Sequence, residues 1–163
     1  MTRTLSILSL LVVSLGGCPL PDLTETLRQA QGVPSQPPPV ASVPVQELDA
    51  VAGCWAAVLD STTIAVTLET DATMQMDWLV EAGPIAGVLV QRGVLQAVAD
   101  GWTWDLTHVR RTDFPRLNLG PPQATGGTLS VRLLRGGDQL GVLLGDRPPE
   151  AAVWLQRIPC EAP

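Results

Sequence analysis

The sequence predicts an all-β domain, an antiparallel up-and-down barrel of about eight strands, with a two-sheet β-sandwich as the alternative. Three observations carry that expectation. From Ala52 onward apolar residues recur with a period of two, as strands with one buried face require. Hairpin chemistry separates these runs at Asp100-Gly101 and Gly136-Gly137, and more weakly at Thr70-Asp71. No long run of 3.6-residue apolar spacing is evident, so helices have little place in the domain.

Element by element, strands are expected near 52–59, 62–69, 73–80, 87–98, 102–110, 127–135, 138–145 and 151–158. Ile64, Val66 and Leu68 alternate with Ala65, Thr67 and Glu69; Met74, Met76 and Trp78 alternate with Gln75 and Asp77. Trp102, Trp104 and Leu106 alternate with Thr103, Asp105 and Thr107, and Leu129, Val131 and Leu133 with Ser130 and Arg132. Gly93 marks a bulge or a division of the fourth strand. Pro121-Pro122 and Pro148-Pro149 mark longer loops.

Ahead of the strands the chain changes character twice. Arg3 precedes an apolar run from Leu5 to Leu15, too short for a hydrocarbon core that needs about 20 residues. It has the length of an export signal, and small residues follow it. Leu15-Gly16-Gly17-Cys18 resembles the lipobox of bacterial lipoproteins. The resemblance implies cleavage before Cys18 and acylation of that cysteine. An ordinary signal peptide or a short membrane anchor are the alternatives. One acyl chain is a marginal anchor at about 0.8 kcal/mol per buried methylene, whereas two or three make attachment effectively permanent. Pro19 is not the aspartate that retains many lipoproteins in the inner membrane. The resemblance therefore implies an outer-membrane protein facing the periplasm.

The expected organisation is a signal peptide over 1–17, an acylated cysteine and disordered tether over 18–45, a barrel over 46–160 and a tail over 161–163. Leu23, Leu27 and Ala30 have helical spacing after Asp22, a candidate N-cap, enough for one short amphipathic turn. Pro34, Pro37, Pro38, Pro39 and Pro44 predict an extended polyproline II spacer.

Charge narrows the partners. The chain carries a formal net charge of −6 and no lysine, and loss of Arg3 makes the mature chain more acidic. That balance, without basic clusters, argues against nucleic acid and against binding to anionic headgroups. Arg110 and Arg111 fall on opposite faces of a strand and form no patch.

Gly53-Cys54-Trp55, after Leu48 to Ala52, resembles the Gly-x-Trp start of lipocalin-like proteins. There a short helical turn leads into the first strand, and an arginine of the last strand packs over the tryptophan. Arg157 is the matching arginine, so the resemblance implies that Gly53, Trp55 and Arg157 close one end of a barrel. Cys54 and Cys160 remain once Cys18 is acylated. An even pair in an exported protein reads as a disulfide, and barrel closure allows it because first and last strands are then neighbours. Metal binding by these thiols lacks ligands, with His108 alone and no Cys-x-x-Cys. No cofactor is expected.

Met74, Met76, Trp78, Trp102, Trp104 and His108 are the candidate ligand-binding residues. His108 lies an even number of residues from Trp102 and Trp104, which predicts one shared face. Either these line a partly hollow barrel or they fill its core, with methionine as gap-filler. No nucleophile elbow, phosphate loop or zinc motif is present, and catalysis is not expected. Two functions follow. In the first, a membrane-anchored envelope lipoprotein binds a small apolar ligand or lipid. In the second, the barrel is a platform for an envelope protein, or a tethered inhibitor of a secreted enzyme.

Overall fold

The computed structural model describes residues 25–34, 36–82, 85–112 and 127–160. The export signal, Cys18, Leu23, Asp22, Pro121-Pro122 and the tail 161–163 lie outside the described residues.

Strands β1 (Val43–Pro44), β2 (Gly53–Leu59), β3 (Thr62–Leu68), β4 (Thr73–Ala82) and β5 (Ile85–Val98) come first. β6 (Gly101–Thr112), β7 (Thr128–Gly136), β8 (Gln139–Leu144) and β9 (Val153–Ile158) follow. Consecutive antiparallel pairing from β2 to β9 is closed by β9 against β2, through Cys54–Ile158, Trp55–Arg157 and Ala56–Gln156. The result is an eight-stranded up-and-down barrel of lipocalin-like architecture, and closure removes the sandwich alternative. The two-residue β1 pairs with Arg135 and Leu134 of β7, beyond the stretch where β6 pairs with it.

Turn chemistry explains the tight hairpins. Gly137 adopts φ 59° between β7 and β8, and Gly101 φ 137° where β6 begins, both positive-φ positions that favour glycine. Between β3 and β4 the Asp71 carboxylate accepts the Thr73 amide at 2.9 Å, an Asx turn.

Inward side chains of the alternating strands make one core, with Trp55, Val66, Met74, Trp104, Leu140 and Leu155 each at most 4% exposed. A second apolar cluster lies outside the barrel. Ala56 and Ala65, cross-strand partners on β2 and β3, join Leu79, Val88 and Val90 beneath a short helix, α1 (Glu25–Ala30). Leu27 and Ala30 of α1 are fully buried there. Small outward side chains at 56 and 65 let the helix come close; a helix this short is marginal without such packing.

Residues 25–34 and 36–45 therefore differ from the disordered tether that proline content predicts. After α1, the Pro34 and Pro37 carbonyls accept from the side-chain amides of Gln156 and Gln139. β1 joins β7, and Val45 donates its amide to the Leu133 carbonyl at 2.8 Å. Polyproline II leaves backbone carbonyls free of internal bonds, so barrel side chains can hold the segment in place.

The irregularity expected at Gly93 is present, with the extra residue on the neighbouring strand. Arg92 pairs with His108 and Gly93 with Leu106, leaving Thr107 as the bulged residue of β6. A Cβ at Gly93 would sit 2.1 Å from the Asp105 carbonyl oxygen, so the close approach of the two backbones requires glycine.

Candidate functional site

The bulge corrects one site expectation. One extra residue inverts the alternation beyond it. Trp102, Trp104 and Leu106 point inward, but past Thr107 it is Val109 that packs on the core, and His108 is exposed. His108 does not share the tryptophan face.

The two ends of the barrel differ. At the base, the 3-10 turn Leu48–Ala50 leads into Gly53 as the lipocalin-like start implies. The Trp55 indole donates to the Val51 carbonyl at 2.8 Å. Arg157 places its guanidinium carbon 4.4 Å from the Trp55 ring centroid and donates to the Ala52 carbonyl at 3.2 Å. Gly53, with φ 133°, leaves room there: a Cβ would lie 2.9 Å from Arg157 Nη1. Just outside, Cys54 and Cys160 form a disulfide with their Cα atoms 5.3 Å apart. Trp102 donates to the Val45 carbonyl at 3.4 Å, and Val45, Leu48 and Val51 complete the base. These contacts make a plug.

The opposite end holds a cavity of about 130 Å³ under the β8–β9 loop. Its wall is Ile64, Met76, Trp78, Val142, Leu144 and Leu155, and Arg147 stands at its rim. Arg132 fixes that loop by donating from its guanidinium to the Arg147 carbonyl. Trp78 is half-buried, yet its indole nitrogen is buried with no hydrogen-bond partner among the described residues. A buried donor left unpaired costs about 1–3 kcal/mol.

Of the six sequence candidates, Met76 and Trp78 border this cavity. Met74 and Trp104, both 0% exposed, and Trp102 are core residues away from it. Trp104 also has an indole nitrogen without a partner among the described residues, packed beside Gly93. Ile64, Val142 and Leu155 were legible only as inward strand positions, and Arg147 lies in a loop with no periodic signal. Asp105, on the outer face, accepts from Gln96 at 2.7 Å and from the Thr128 hydroxyl at 2.8 Å, a polar cross-strand row. Among the described residues no group of three or more His, Cys, Asp or Glu side chains is placed to hold a metal.

No family model, curated protein or solved structure matches the chain. The lipocalin-like architecture rests on strand order and closure alone.

Proposed function

We propose that this is a lipid-anchored protein of the bacterial envelope, acylated at Cys18, whose barrel receives one ring-sized apolar group at its open end. The observation that carries the binding half is the apolar cavity at that end, walled by Met76, Trp78 and Val142 with Arg147 beside it.

Size decides how much of a ligand enters. Sites for drug-sized molecules run to about 300–1,000 Å³, whereas an apolar cavity of about 150 Å³ accepts benzene. At about 130 Å³ the mouth suits one ring or a branched alkyl end. Burying such a group is worth about 1.5–3 kcal/mol, and even a millimolar dissociation constant requires about 4.1 kcal/mol. A free ring-sized compound therefore binds weakly. Tighter binding needs a ligand that also lies across the rim, where Arg147 favours an anionic or carbonyl-bearing head. Small amphiphiles, lipid fragments among them, fit that description.

The nearly filled interior favours a second reading, in which the same depression takes a single side chain of an envelope protein partner. Titration of the soluble domain with benzoate, cyclohexane carboxylate and medium-chain fatty acids, followed by tryptophan emission, separates the two. A saturable change lost in Trp78→Phe but kept in Trp104→Phe supports the ligand reading. Unchanged emission across the panel moves the assignment to the partner reading. The anchoring half is tested by membrane partition of the full chain: wild type should partition with membranes and Cys18→Ser should not.

A further inference from the structure

The docked helix changes what the anchor does. If residues 18–45 were a free tether, Cys18 and the start of the barrel could separate by roughly 100 Å at about 3.5 Å per residue. With α1 seated on the barrel wall, chain geometry limits the distance from Cys18 to Glu25 to at most roughly 25 Å. A domain of this size has a radius of gyration of about 13 Å. The remaining leash is shorter than the barrel is wide.

We propose that α1 is a cis clamp that hands the lipid anchor to the β2–β5 wall, so that this wall lies against the bilayer surface. The inference rests on acylation of Cys18. Its structural support is independent: Leu27 and Ala30 are fully buried against Ala56, Ala65, Leu79 and Val88, and the chain beyond is held by Gln156, Gln139 and β1. β7 is the strand farthest around the ring from β3, the strand at the centre of the α1 seat. The barrel thus presents a membrane-proximal wall at β3 and β4 and a distal one at β7.

The test uses the full, lipidated chain in phosphatidylethanolamine–phosphatidylglycerol vesicles containing an acceptor-labelled headgroup. A donor dye is placed on Glu81→Cys, an exposed position of β4, or on Ser130→Cys, an exposed position of β7. Higher energy transfer from position 81 than from 130 is expected. Leu27→Asp, with Ala30→Asp as a second variant, should abolish the difference while the protein still partitions with the vesicles. Equal transfer from the two positions in the otherwise unaltered chain overturns the proposal, as does a difference that survives both helix variants. A chain that does not partition at all removes the anchor, and the clamp with it; partition with equal transfer removes the clamp alone.

Discussion

Gln139 and Gln156 stand opposite each other on β8 and β9, and each donates its side-chain amide to a proline carbonyl, Pro37 and Pro34 respectively. Those carbonyls are three residues apart, the repeat of a polyproline II helix. Two adjacent strands thus offer donors at the spacing that the proline-rich segment presents. Gly136 extends the contact: a Cβ there would lie 2.3 Å from Pro39 Cγ. The segment becomes part of the folded domain through contacts that proline content alone does not encode.

Removing either amide should loosen the segment. Gln139→Ala and Gln156→Ala should each lower stability by about 1 kcal/mol in urea unfolding, the usual net worth of one hydrogen bond. Proteolytic cleavage between Val40 and Gln46 should also become faster in both variants. Unchanged cleavage would mean that the strand pairing of β1 holds the segment by itself.

Gly93→Ala should destabilise the barrel by about 1–3 kcal/mol, the range for forcing extra volume into a packed site. The added carbon would strike backbone at Asp105, which has no flexible end to move. Gly127→Ala is the control, since nothing among the described residues lies within 4 Å of a Cβ there. Thermal unfolding of the two variants should separate them clearly.

Loss of the Cys54–Cys160 disulfide, which spans 106 residues of sequence, should cost about 2–5 kcal/mol. A paired Cys54→Ala and Cys160→Ala variant, unfolded in guanidinium beside the oxidised protein, measures this. Peptide mapping without reductant should recover the linked pair.

The eight strands were legible because each buries one face, and a period of two survives in the sequence wherever that holds. The Cys54–Cys160 pair and the base closure were legible for a related reason, since both depend on the first and last strands being neighbours. What could not be read was the effect of Thr107. A bulge leaves no mark in the alternation of Trp102, Trp104 and Leu106, yet it turns His108 out and Val109 in. The docking of α1 was half visible: Leu27 and Ala30 have the right spacing, but the seat at Ala56 and Ala65 reads as an ordinary outer face. The cavity was legible through Met76 and Trp78 alone, because its other walls come from strands distant in sequence.

Asp71 supplies a pH-dependent contribution. Its carboxyl is held below the ordinary aspartate value, chiefly by the hydrogen bond from the Thr73 backbone amide and then by the Thr73 hydroxyl. A folded-state value below the unfolded one gives stability that is present above the unfolded value and lost as pH falls through the folded one. NMR titration should therefore place Asp71 below a model peptide's aspartate. Asp71→Ala should remove that part of the acid dependence and loosen the β3–β4 turn.

The most direct test of the mouth as a binding site is the indole N–H resonance of Trp78 in ¹⁵N-labelled protein, assigned by Trp78→Phe. Raising benzoate or cyclohexane carboxylate into the range of tens of millimolar should shift that resonance along a curve that bends toward saturation, and leave the Trp104 indole nearly unmoved. Val142→Trp, which fills the cavity, should abolish the shift. A Trp78 resonance that stays in place, or that moves equally in the filled variant, contradicts the account.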